Sequence, residues 1–340
     1  LRFLDPFAPR SNGDLARLGV IAALIALIVF GALRYDNFLS PYNVLTFLRY
    51  NSMFALIALG MALVIMTGGI DLSVGGTAAM ASVVAAILSP YHWAAGLAGG
   101  LAAGLAVGLI NGIVITQLRI QPFIATLAAM LAAYGTGLLL AGNQSVSVSY
   151  DTGFTEIGQG DFISIPVPES LSRTGSIAFP IPFWIALAAY VIGWIALERH
   201  PIGRRILAIG DGETTARLMG LKVERTLMGV YMTSGLLAGL AGVILASQFG
   251  AGQPTEGVGW ELFAIASVVV GGTLLTGGVG SIGATLAGAL LLAMVFNILN
   301  FENGLGWISL SAYWQSVIRG LFLLAVVILQ AKLTESRKVG

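Results

Sequence analysis

Cysteine is absent from the 340-residue chain, and histidine occurs only as His92 and His200. The first absence excludes disulfides, thiolate metal sites and a cysteine nucleophile. The second, with more than a hundred positions between the two imidazoles and no acidic ligand pattern near either, argues against a soluble metalloenzyme and predicts no metal site. Charge is equally scarce: 17 basic and 16 acidic side chains make up 10% of the chain, where soluble proteins carry roughly a quarter. So few charges cannot cover the surface of one or two soluble domains without large exposed apolar patches. Disorder, a secreted disulfide scaffold and a nucleic-acid binder are excluded with them. No G-x-x-x-x-G-K-[ST] phosphate loop occurs, nor any Gly-Lys pair, so this chain cannot hydrolyse ATP by that route. No H-E-x-x-H pair, serine-histidine arrangement or other catalytic constellation is present, and no catalytic residue is assigned.

What is present in excess is apolar residues, at 57%, and glycine, at 45 residues. With no β-barrel alternation, the class is an all-α polytopic membrane protein. Ten stretches approach the roughly 20 residues that cross a hydrocarbon core. They cover 16 to 34, 44 to 66, 73 to 89, 93 to 116, 122 to 142, 179 to 197, 225 to 248, 260 to 278, 281 to 300 and 313 to 331. The third and eighth are short or glycine-interrupted, as a broken or re-entrant span would be. The lead from Arg2 to Arg17 reads as a retained anchor, since it lacks a small-residue cleavage site. In a ten-span reading most basic residues, including Arg119, Arg199, Arg204, Arg205, Arg217, Lys222 and Arg225, fall on one side, with Arg34 and Arg173 opposite. That bias places both termini in the cytoplasm. It leaves one long outer loop, 143 to 178, and one substantial cytoplasmic loop, 198 to 224, within a single transmembrane domain over 1 to 340.

The fourth span holds Gly96, Gly100, Gly104, Gly108 and Gly112, one glycine every four residues. Such a stripe lets helices meet by close van der Waals contact in lipid, either within the subunit or at a subunit seam. Gly235 and Gly239 form a shorter pair. Two glycine corners, Thr-Gly-Gly-Ile-Asp-Leu-Ser-Val-Gly-Gly at 67 to 76 and Thr-Gly-Gly-Val-Gly-Ser-Ile-Gly at 276 to 283, fall at cytoplasmic span ends. The second contains a G-x-G-x-x-G spacing. A dinucleotide fingerprint needs a preceding strand and a distant acid, and here membrane spans flank it, so that reading is rejected. Tight turns, with Ser73 or Ser281 capping the next helix, are the structural alternative. Asp71 must cap, pair with a base or face water.

The cytoplasmic loop carries a short helix over Asp211 to Gly220, with an Asp start, Ala216 and Leu218 inside and a glycine end. It is either a docking element or a solvated linker. Glu213 and Arg217, four apart, can pair with each other or with a partner. Within the spans, Arg49, Glu261 and Arg319 fall in outer parts, and Glu261 is expected to pair with Arg49 or Arg319 unless these charges snorkel to the headgroups. Asn51, Asn111, Gln121 and Asn297 offer amides to a loosely held polar cargo or to interhelical hydrogen bonds.

Four segments carry a specific resemblance: Gly-Gly-Ile-Asp-Leu-Ser-Val-Gly at 68 to 75, Ile-Gln-Pro-Phe-Ile-Ala-Thr-Leu at 120 to 127, the run from Ala208 to Gly220, and Glu-Leu-Phe-Ala-Ile-Ala-Ser-Val-Val-Val-Gly-Gly-Thr at 261 to 273. In this order they resemble the permease subunits of bacterial ABC sugar importers of the ribose and galactofuranose branch, over residues 40 to 331. The resemblance implies the ten-helix fold of vitamin B12-type importer permeases in a bacterial inner membrane. It also implies pairing with a second, identical or related permease, a periplasmic sugar-binding protein, and cytoplasmic ATPase subunits that hold the ATP and Mg; no cofactor is expected in this chain. The cargo would be a pentose, a hexose such as galactofuranose, or a short oligosaccharide, moved by alternating access.

Under that resemblance Asp211, Glu213, Ala216, Arg217 and Gly220 belong to the helix that couples to the ATPase. Asn51, Asp71, Asn111, Gln121, Phe123, Glu261, Asn297 and Arg319 are candidates for the sugar path. Gly76 departs from the Ser of many relatives, and the outer loop is peculiar to this chain, so the sugar itself does not transfer. A permease of the same architecture for a nucleoside or signalling sugar derivative is the nearest rival. An ion-coupled secondary transporter would need deep carboxylates or histidines, for which only Asp71 and Glu261 qualify.

Overall fold

A computed structural model describes residues 12–168 and 176–305, together with single positions between 314 and 324. Arg173, Arg319 and most of the expected span 313 to 331 lie outside the described residues. Five helices come first: α1 (Asn12–Arg34), α2 (Pro41–Met66), α3 (Val74–Leu88), α4 (Trp93–Thr116) and α5 (Pro122–Ala141). Strand β1 (Val146–Ser147), a single turn α6 (Glu156–Gln159) and the antiparallel pair β2 (Asp161–Pro166) and β3 (Ser176–Pro180) form the following segment. Then come α7 (Ile181–Trp194), α8 (Pro201–Asp211), α9 (Glu213–Leu218) and α10 (Val223–Phe249). Strand β4 (Ala251–Gly252), α11 (Trp260–Val270) and α12 (Ile282–Leu305) complete the described chain, with β4 paired to β1.

Local chemistry explains the helix boundaries. Ser40 caps α2 by accepting the Asn43 amide at 3.3 Å, and Pro41 occupies the first turn, where a missing amide proton costs nothing. Both histidines are caps: His92 Nδ1 accepts the Ala94 amide at the start of α4, and His200 Nδ1 accepts the Ile202 amide at the start of α8. Six helices among the described residues are long and apolar enough to cross a membrane, and α1, α3 and α11 are shorter apolar helices.

The third and eighth spans differ from full crossings. At 1.5 Å per residue, α3 covers about 22 Å and α11 about 16 Å, short of a ~30 Å core. The expected span 260 to 278 breaks at Val270, because Gly271 and Gly272 follow and Gly272 adopts φ +85°. Before α11, the chain from Gly250 to Gly259 is non-helical and runs along α3: the Gln253 amide donates to Ser82 Oγ at 3.0 Å, and Gly257 abuts Gly75. The N-terminal ends of α3 and α11 therefore meet inside the bundle. The fold is helical with two small strand pairs on the side opposite α8 and α9.

The core is α2, α3 and α10, buried along most of their length, with α4, α5, α7 and α11 packed around them. The glycine stripe of α4 lies against α10. A methyl group at Gly104 would collide with the Gly235 carbonyl, and one at Gly108 with the Tyr231 carbonyl. Gly100 faces Val243, Gly112 faces Met228, and Gly96 packs on Phe154. The stripe is occupied within the subunit, which leaves no room along it for a second copy.

Candidate functional site

The two glycine corners, which sequence places far apart, meet at the foot of α8. The Gly278 amide donates to the Met66 carbonyl at 3.0 Å. A side chain at Gly277 would lie 2.7 Å from the Gly68 nitrogen and 2.9 Å from Gly210 Cα, and one at Gly210 would overlap the Met66 carbonyl. Gly68, Gly277 and Gly278 all have φ near +80°, a region costly for other L-residues. The G-x-G-x-x-G spacing thus forms a backbone junction of α2, α8 and the start of α12. Ser281 Oγ accepts the Ala284 amide at 3.5 Å, while Ser73 makes no cap of its own to α3.

Beyond the junction, α8 ends on Asp211 rather than starting the next helix there. Gly212 breaks the run, and α9 begins at Glu213. An isoleucine stripe explains why α8 exists: Ile206 and Ile209 face inward while Arg204 and Arg205 stay exposed. Ala216 is fully buried against Ile209 and Val223, so it roots α9 and does not face outward. Arg217 bridges Glu213 at 2.8 Å and also pairs with Glu224 at the start of α10. These carboxylates push the guanidinium pKa above its usual value. Gly220, at φ +80°, closes the helix. The tip of this turn is apolar: Leu218 is 85% and Met219 64% exposed. Sequence reasoning took Leu218 only as a helix-interior residue and passed over Met219, although two adjacent apolar side chains amid Glu, Thr, Arg and Lys were the available signal.

Of the three roles open to Asp71, the structure shows a capping one: it accepts the Ser73 amide just ahead of α3, and it neither meets a base nor faces water. It is fully buried, with Oδ1 accepting the Ser73 amide at 3.0 Å and the Ser73 hydroxyl at 2.6 Å, and Oδ2 accepting the Ser234 hydroxyl at 2.8 Å. Asn111 donates to Ser73 Oγ at 2.9 Å. At the next residue, the Leu72 amide donates to Thr126 Oγ1 at 3.1 Å. The corner after α2 is thereby tied to α4, α5 and α10 by a connected polar node; sequence reasoning took Ser73 only as a helix cap and did not single out Thr126 or Ser234. Gln121 and Phe123, at the start of α5, are exposed and stand apart from this node.

The expected Arg49–Glu261 pair does not form. Arg49 turns to the strand-bearing segment, where its Nη2 meets Asp161 Oδ1 at 2.7 Å and its Nη1 donates to the Gly158 and Gln159 carbonyls. The terminal carbonyls of α6 and a carboxylate suit a guanidinium fork better than one distant acid does. Glu261 instead lies at the start of α11 beside Gly75, its Oε2 buried without a hydrogen-bond partner. The alternative partner, Arg319, lies outside the described residues. Asn51 and Asn297 do come together, on facing walls of an aromatic-lined groove of about 820 Å³ between α2, α11 and α12.

A helical bundle with two short helices meeting inside it, a non-helical stretch leading into one of them and one projecting apolar turn is an arrangement that membrane transporters use. Residues 43–327 match the family described as branched-chain amino acid transport system permease component, and the chain belongs to that family. It is similar to the ribose import permease protein of Bacillus subtilis strain 168, with 40% identity over 324 residues covering 94% of each chain. It is also similar to the L-arabinose transport system permease protein of Escherichia coli K12, at 35% over 328 residues, 94% of this chain and 93% of that one. The fructose import permease protein of Bifidobacterium longum is 33% identical over 332 residues, 95% and 94% of the two chains. The chain is a membrane permease subunit.

Proposed function

We propose that this chain is the membrane-spanning subunit of an ATP-driven ABC importer that moves a neutral monosaccharide into the cytoplasm. The observation that carries the coupling is the α8–α9 projection. Its apolar tip, Leu218 and Met219, stands clear of the bundle, is braced by the Arg217 bridges, and is rooted through Gly210 on both glycine corners. An exposed apolar turn held this rigidly suits a cleft on a partner ATPase better than solvent. A push on it would reach α2 and α12 directly, which is what alternating access requires of a motor contact.

In this reading the bundle has ten spans, both termini are cytoplasmic, and α9 reaches into the cytoplasm. A second permease subunit completes the path in the bacterial inner membrane. A periplasmic sugar-binding protein delivers cargo to the face carrying β2 and β3, and ATP and Mg reside in the ATPase. The sugar is read from the relatives: ribose, arabinose and fructose permeases are 33% to 40% identical over nearly the whole chain. Purification of the chain from its native membrane tests the assembly. An ATPase that co-migrates and can be crosslinked to position 218 is expected; isolation of the chain alone, with position 218 crosslinked only to itself or lipid, would argue against it.

A further inference from the structure

From the groove between α2, α11 and α12, we infer that this is where the permease itself contacts the sugar ring, an inference resting on the importer reading above. Its volume of about 820 Å³ falls in the usual range for small-molecule sites. The walls follow helical spacing. Phe47, Tyr50, Asn51 and Phe54 recur as i, i+3, i+4 and i+7 on α2, and Phe296, Asn297 and Asn300 share one face of α12. The rings close its inner end. Phe54 packs at a tilt on Trp260 and Phe263, with ring centroids 4.8 Å and 4.9 Å apart, and the Phe263 centroid lies 5.7 Å from that of Phe296. Phe54 stands about 20 Å along α2 from Pro41 by the helical rise, so this end is deep in the bundle.

The polar groups are amides. The Asn51 amide nitrogen already donates to the Phe47 carbonyl at 2.8 Å, which fixes the side chain's orientation. The Asn297 nitrogen donates to Asn43 Oδ1 at 3.4 Å, and its own Oδ1 is buried with no hydrogen-bond partner. A buried acceptor without a donor is costly unless a ligand supplies one. Among the described lining residues Glu256 carries the only charge, and Arg49, beside Tyr50, is committed to Asp161. A neutral polyol needs aromatic faces for its C–H surfaces and amide oxygens for its hydroxyl protons, and this groove offers both.

The test uses the whole importer in proteoliposomes, with D-ribose, L-arabinose and D-fructose as cargoes. Asn297→Leu and Asn51→Leu should each lower sugar moved per ATP hydrolysed at least fivefold. Because the chain has no cysteine, Asn300→Cys gives a single thiol, and its modification by a membrane-impermeant methanethiosulfonate should slow at least threefold during sugar turnover. Unaltered uptake in both leucine variants, or a labelling rate indifferent to sugar, would overturn the groove assignment while leaving the importer reading intact. A wild-type complex that moves none of the three sugars would instead strike the importer reading.

Discussion

The amide of Gly278 hydrogen-bonds the carbonyl of Met66 at 3.0 Å, tying the second glycine corner to the last turn of α2 where α8 ends. Gly210 is wedged against the same carbonyl. Any motion of α8 must therefore move two membrane segments. Gly210→Val should leave the protein inserted but reduce transport per ATP at least tenfold. Gly135→Ala, at a position with open space around it, should leave transport and melting temperature unharmed. Equal behaviour of the two variants would mean the junction does not transmit motion.

Gly278→Ala tests the same junction through stability. A non-glycine residue at φ +77° costs about 1–2 kcal/mol, and a Cβ there would sit 3.0 Å from Asp211 Cα. The melting temperature in detergent should fall, and Gly283→Ala, where nothing lies within 4 Å, should not lower it.

The polar node predicts an order among substitutions. Asp71→Ala strips acceptors from Ser73 and Ser234 in a fully buried site, at about 1–3 kcal/mol. Asp71→Asn keeps an oxygen for Ser73 and presents an amide to the Ser234 hydroxyl, so its loss should be less than half as large. Thermal melting of the purified protein measures both, and a more damaging Asn than Ala would show that the carboxylate is not held chiefly as an acceptor.

At the projection, Leu218→Asp should abolish stimulation of the partner ATPase by loaded binding protein, with helix content unchanged by circular dichroism. Glu213→Gln removes one of two bridges to an exposed arginine and should leave folding untouched, since solvated ion pairs contribute little. Retained stimulation in Leu218→Asp would remove the tip from the interface.

On the opposite side, Arg49→Lys should loosen α6 and β2. A lysine cannot reach two carbonyls and a carboxylate in one plane. Hydrogen exchange over residues 156 to 166 should accelerate in the variant, whereas unchanged protection would mean the segment is held by its apolar contacts alone.

Much of this fold was legible in the sequence because bilayer chemistry leaves few options. The apolar runs located α2, α4, α5, α7, α10 and α12 to within a few residues, and the glycine spacing of α4 marked a surface of close contact. What stayed hidden is tertiary. Nothing in the sequence near Asp71 points to Ser234, which reaches it from α10, so a carboxylate in a glycine corner read as a boundary residue. Arg49 and Glu261 looked like a pair because both were charges in outer span halves, yet the turn of α6 supplies carbonyls no sequence pattern announces. Asp211 read as a helix start, but the isoleucines of α8 claim it as a helix end. The facing amides of Asn51 and Asn297 were each visible alone; only the approach of α2 to α12 makes them line one groove.

The most direct measurement is uptake into proteoliposomes holding this permease with its partner ATPase, sugar-binding protein outside and ATP inside. Accumulation of a monosaccharide that requires both ATP hydrolysis and the binding protein is the predicted result. Uptake that proceeds without the ATPase, driven by an ion gradient, would contradict the account at its centre.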